Sequence, residues 1–136
     1  MRYKIQPKPF IKNKMKFLFW VIIANASTKD SIWVEDYIIY IAQHENINVN
    51  MFLGIAKAES NFNPTAKNPV GTASGVMQFL DSTFRNYCIN KYQLTDTMEE
   101  KDNPAIQINC AAYMLQEPKG WLHWLASKDT WGKYLD

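Results

Sequence analysis

Histidine and cysteine are scarce in this chain. Only His44, His123, Cys88 and Cys110 occur among its 136 residues. Neither histidine has metal-ligand partners at the usual spacing, so both read as core or surface residues. No glycine-rich phosphate loop, nucleophile–base triad or zinc motif is present. Those absences remove nucleotide hydrolysis, serine- or cysteine-type hydrolysis and zinc catalysis from the candidate chemistries, and no cofactor or metal is expected. The longest apolar run near the start, Phe17 to Ala24, is too short for an ordinary membrane-spanning helix. Internal repeats, low-complexity tracts and a linker that would split the chain are also missing.

Acidic residues are absent from positions 1–16, which carry Arg2, Lys4, Lys8, Lys12, Lys14 and Lys16. The short apolar stretch and the triplet Ala24-Asn25-Ala26 follow. A basic leader, an apolar segment and a small-x-small triplet describe a secretory signal peptide over 1–26. The alternatives are a basic tail with a buried strand, or an uncleaved leader that tethers the protein to a membrane. The leader also explains the charge. The chain has 15 basic and 13 acidic residues, and the six named basic ones fall in the leader. The remainder is therefore net acidic and has no basic patch with interleaved aromatics, so no nucleic-acid partner is indicated. Residues 27–136 suit one small domain, expected to be a monomer. In an exported domain, Cys88 and Cys110 suggest a disulfide. Two unpaired core thiols are the alternative.

The rest of the pattern is mostly helical. Asp30 or Ser31 is placed to cap a helix to about Glu45. Trp33, Tyr37, Tyr40 and His44 recur on it at three- and four-residue spacing beside a row of Val34, Ile38 and Ile41. Asn50 is the expected cap of a second helix, Met51 to about Ser60, with Met51, Phe52, Ile55 and Ala56 inward. Residues 60–80 hold Pro64, Pro69, Gly71 and Gly75, and are expected to be irregular, with a small hairpin as their one regular element. Asp81 is the expected cap of a third helix to about Tyr92, and residues 93–102 read as a polar, solvated connection. Asn103 and Pro104 open a fourth helix to about Gln116. The tryptophan-rich segment 121–135 is expected to form one or two short helices.

Glu59 carries the most chemistry. It lies four residues after Ile55, on the buried side of the second helix, where that helix gives way to a polar loop. Burial beside Phe52 and Ile55 and the negative end of the helix both disfavour its charged form. A protonated glutamic acid can donate to a glycosidic oxygen as the bond breaks. A surface glutamate at a helix end is the alternative.

The residues after it resemble a known family. Glu59-Ser60-x-Phe62-Asn63-Pro64-x-Ala66, then Asn68-Pro69-x-Gly71, then Ala73-Ser74-Gly75-Val76-Met77-Gln78-Phe79, look like the soluble lytic transglycosylase domain with a goose-type lysozyme-like fold. The resemblance covers about residues 33–116 and is sharp over 59–79. It departs from the pattern by one extra residue between Gly71 and Gly75, and by lacking the Tyr-Asn-x-Gly type of motif that many members carry. It implies a mainly α fold. It also implies cleavage of the β-1,4 bond from N-acetylmuramic acid to N-acetylglucosamine in peptidoglycan, with Glu59 as acid and then base and a 1,6-anhydro ring as product. Under it, Gln78 lines the cleft, where a satisfied buried amide is the bland alternative. Ser60 either fixes the cleft wall or caps the helix end. Asn68 matches a position near the acid, Met77 is carried as a contact although packing is its expected role, and Tyr113 stands with Trp121, Trp124 and Trp131 as a replacement for the missing motif.

Ordinary glycosidases use two carboxylates about 5–9.5 Å apart. Asp81, Asp96, Glu99, Glu100 and Asp102 are the acids available for a second role. Asp81 is nearest to the motif, and its expected role is capping. Were it to reach the cleft, a muramidase-type hydrolase would follow. A non-catalytic glycan-binding or assembly module is the reading from a different class.

Overall fold

The computed structural model describes residues 31–135, without the side chains of Ser31 and Ile32. The leader over 1–26 and the Asp30 cap lie outside the described residues. Helix α1 is Ser31–His44. Its inward row is Val34, Tyr37, Ile38, Ile41 and Ala42, all buried. Trp33 and Tyr40 are only partly buried, and His44 is exposed, where its Nδ1 donates to the Tyr40 carbonyl at 2.8 Å. The β-branched row and Tyr37 therefore face the core, with Trp33 and Tyr40 packed at its margin.

Helix α2 is Val49–Ser60. Asn48 caps it, accepting from Met51 N at 3.0 Å, so the cap falls two residues before the expected Asn50. Val49 and Asn50 fit the first turn, which leaves Asn48 the side chain that reaches an orphan amide. The helix stops because Asn61 turns left-handed at φ 52, a conformation asparagine tolerates.

Residues 61–80 form no strand. Two isolated bridges, Lys67 to Ser74 and Ser74 to Phe79, take the place of the expected hairpin. Helix α3 is Asp81–Thr83, continued by a wider π-helical segment, Phe84–Lys91. Leu80, not Asp81, precedes its first turn. The Asp81 carboxylate is drawn instead to Lys101 at 2.9 Å. Helix α4 is Pro104–Leu115, capped by Asn103 onto Ala105 N as its sequence demands. Ten of its residues are buried, so it is the central post of the fold, apolar nearly all round. Helices α1 and α2 pack on each other, α1 also packs on α4, and the π-helical segment leans on α4 where Cys88 and Cys110 meet, Cα to Cα 5.4 Å.

The chain closes with 3-10 turns over Gly120–Ser127, kinked at Trp124, then α5, Lys128–Trp131, and a last turn, Gly132–Tyr134. This segment lies across α2. Gly54 is required there, because a Cβ on it would stand 2.7 Å from Trp131 Cβ. Among the described residues, no helix is long and apolar enough to cross a membrane.

Candidate active site

Glu59 sits in the last turn of α2, half-buried. Ser127 Oγ donates to its Oε2 at 2.6 Å. The Trp131 indole N–H donates to Ser127 Oγ at 2.9 Å, and the Trp124 carbonyl lies 3.2 Å from that oxygen. Burial pushes the Glu59 carboxyl above the ordinary glutamate range, and the Ser127 hydrogen bond pulls it part of the way back. Glu59 Oε1 takes no hydrogen bond among the described residues.

Ser60 ties this helix end to the neighbouring loop. Its hydroxyl lies 2.7 Å from the Val76 carbonyl and 3.2 Å from that of Ala56. It has one proton, and the shorter bond ties it to the 61–80 loop rather than capping its own helix. Trp124 Nε1 donates to the Met77 carbonyl at 3.0 Å, so the same wall is held from the C-terminal segment.

Residues 66–79 are clamped from behind by α4 and the residues leading into it. The Gln107 side-chain oxygen accepts from Met77 N at 2.8 Å, and its Nε2 donates to Ser74 O at 3.0 Å and Lys101 O at 2.7 Å. Gly75 makes this possible. Its φ is +86, and a Cβ there would fall 2.2 Å from Gln107 Nε2. Lys101, expected in a solvated stretch, is buried. Its Nζ donates to Thr72 O at 2.5 Å and Ser74 Oγ at 2.9 Å and pairs with Asp81. Leu94, Thr95 and Glu100 are buried as well. Glu100 is acceptable there because Thr95 Oγ1 donates to it at 2.6 Å. The connection is a structured clamp because its polar groups find partners inside the fold.

The other expected site residues divide. Gln78 is half-buried at φ 52, and its Nε2 donates to Ala66 O at 3.2 Å and Gly75 O at 3.0 Å. Its amide nitrogen thus serves the loop, while its Oε1 takes no hydrogen bond among the described residues. Met77 is fully buried, so packing is its role and its side chain has no surface for a sugar. Asn68 is exposed, and its Oδ1 accepts from Val70 N at 2.9 Å, a local turn rather than a bond to Glu59. Tyr113 stacks on Tyr92 with ring centres 4.7 Å apart, and Tyr92 hydrogen-bonds to Glu117. Of the tryptophans, Trp124 and Trp131 are core residues, and Trp121 is only partly buried, with Lys128 Nζ 4.6 Å from its ring centre.

The remaining acids are held elsewhere. Asp81 pairs with Lys101, and that hydrogen bond draws its carboxyl below the ordinary aspartate range. Asp102 accepts from Ser74 Oγ at 2.5 Å and pairs with Lys67 at 3.2 Å. Asp96 and Glu99 are exposed. Ser127 was not legible beforehand, because its partner lies 68 positions away and a serine after a tryptophan pair has no catalytic signature. A cavity of about 580 Å³ flanks the site, reaching Ala58 beside Glu59 and Thr130 near Ser127. Glu59 itself does not line it, so the cavity does not by itself locate the chemistry.

Comparison with known proteins identifies the fold. No curated protein matches the chain. The family model described as Transglycosylase SLT domain matches residues 36–126, from the first turns of α1 into the 3-10 segment, stopping one residue short of Ser127. The chain therefore belongs to the transglycosylase SLT domain family, and its mainly helical fold is the lysozyme-like one of that family.

Proposed function

We propose that the protein is a peptidoglycan lytic transglycosylase with Glu59 as its single acid and base. The family is one of peptidoglycan-cleaving domains, so glycan strands are the substrate class. The observation that carries the finer reading is the state of Glu59. It is half-buried at a helix end, raised in pKa, hydrogen-bonded on one oxygen only, and the acids nearest in sequence to the loop are committed to Lys101, Lys67 and Ser74.

The protonated carboxyl gives its proton to the glycosidic oxygen, and the electron pair of the breaking C1–O bond goes to the leaving N-acetylglucosamine. The resulting carboxylate takes the proton of the 6-hydroxyl on the same muramyl sugar as the O6–C1 bond forms. The acid is regenerated and water is not consumed. A hydrolase would need a second carboxylate near the bond. Asp81 is the one candidate that the loop offers, and its tie to Lys101 disfavours that role. Ser60, Gln78 and Asn68 shape the loop that faces the substrate, with Gln78 Oε1 available for an acetamido or hydroxyl group.

We further infer that the protein is exported, through the leader at 1–26, acts as a monomer, and carries Cys88–Cys110 as a disulfide. The test is digestion of purified sacculi followed by mass analysis of the muropeptides. Products ending in 1,6-anhydro-muramic acid are expected. Reducing ends would make the protein a muramidase, and intact sacculi would leave a non-catalytic glycan-binding module.

A further inference from the structure

Ser127 Oγ has one proton and two lone pairs. The Trp131 indole N–H, which can only donate, occupies one lone pair at 2.9 Å. The proton has two possible acceptors, Glu59 Oε2 at 2.6 Å and the Trp124 carbonyl at 3.2 Å. Placing the Glu59 proton on Oε2 would force the Ser127 hydroxyl round to the longer bond. Placing it on Oε1 leaves the shorter bond intact, and that bond also survives ionisation, when it becomes charge-assisted.

We propose that Ser127 is a positioning residue for Glu59: held by Trp131, its hydroxyl fills Oε2 and so keeps the exchangeable proton on Oε1. This rests on the transglycosylase reading. It accounts for how one carboxyl gives a proton and takes one back through a single oxygen, without a second protein carboxylate to orient it.

Among the described residues, no ionised neighbour competes for Glu59. The causes of its shift are burial and Ser127 alone. On α1, Tyr37 bonds Asn109, His44 bonds the Tyr40 carbonyl, Tyr40 itself is part-buried, and Asp36 is exposed. Glu35 lines the flanking cavity with Lys57 and Tyr134. On the C-terminal segment Lys128 lies over Trp121, while His123, Asp129 and Lys133 are exposed.

The test is the pH–rate profile on sacculi of wild type, Ser127→Ala, Ser127→Thr and Ser127→Cys, with a carbon-13 NMR titration of Glu59 in each. Loss of a charge-assisted hydrogen bond is expected to move the alkaline limb, and the Glu59 titration, up by about one pH unit in Ser127→Ala. A fall of about tenfold in kcat with little change in KM is expected alongside it. Ser127→Thr keeps the hydroxyl and should match wild type. Ser127→Cys, a weak donor, should fall between, and it carries the test if the alanine variant does not fold. An alanine or cysteine variant whose limb and titration coincide with wild type would overturn the proposal, as would a threonine variant that behaves like alanine. If wild type releases no muropeptides the transglycosylase reading fails, and the NMR titration still decides whether Ser127 controls the Glu59 proton.

Discussion

The two walls beside Glu59 are built on opposite plans. The loop wall, residues 66–79, is held by buried polar groups that are fully engaged: Gln107 bonds three backbone groups and Lys101 meets Thr72, Ser74 and Asp81. The acid wall is held by apolar packing of Trp124 and Trp131, with one short chain of hydrogen bonds ending on Glu59. The first plan gives a rigid surface. The second leaves one carboxyl oxygen uncommitted among the described residues, with burial that raises the pKa of its group. Rigidity on one side and an open hydrogen-bond acceptor on the other would suit the proton transfer proposed for Glu59.

The largest expected effect breaks the loop wall. Gln107→Ala strands Met77 N, Ser74 O and Lys101 O in the interior, at about 1–3 kcal/mol for each group left unpaired, and a total loss of about 3–5 kcal/mol should appear in urea denaturation. A loss below about 1 kcal/mol would mean that the clamp is ornamental. Next is the proposed Cys88–Cys110 disulfide, which would tie the π-helical segment to α4. Its loop of 22 residues predicts that Cys88→Ser with Cys110→Ser lowers unfolding free energy by about 3 kcal/mol while leaving the alkaline limb of the pH–rate profile in place. A shifted limb would show that the crosslink shapes the acid as well as the fold.

Asp81→Asn is a smaller perturbation, because the carboxylate is half-exposed. Little loss of stability is expected, with muropeptide release within about threefold of wild type. Loss of all activity would instead make Asp81 a second catalytic carboxylate. The smallest effect sharpens the acid wall. A carboxyl whose pKa is raised by folding costs stability once the pH passes its unfolded value, because the native state then binds more protons than the unfolded one. Glu59→Gln should therefore raise Tm at neutral pH, with the gain vanishing below the ordinary glutamate pKa. A variant that is less stable at neutral pH would show that the ionised form is welcome there.

Much of the frame could be read from the chain. Asn103-Pro104 marked the start of α4, and the Ile55–Glu59 spacing put the acid on the inner side of its helix, where the structure has it half-buried. What escaped was long-range. Asp81 abandons its own helix for Lys101, a partner far along the chain, whereas the Asn48 cap is a local choice of register between two nearby asparagines. Lys101 looked solvated because nothing local reveals that Thr72 and Ser74 would fold over it. The π winding of Phe84–Lys91 carries no periodic signature distinct from an α-helix over so few residues. Ser127 needed the C-terminal segment to be laid across α2, a consequence of Trp131 packing on Gly54.

The most direct measurement is muropeptide release from sacculi by Glu59→Gln beside wild type, with circular dichroism confirming equal folding. The account predicts a loss of at least about a hundredfold, the lower end of what a general acid contributes. Equal release by both proteins would contradict it.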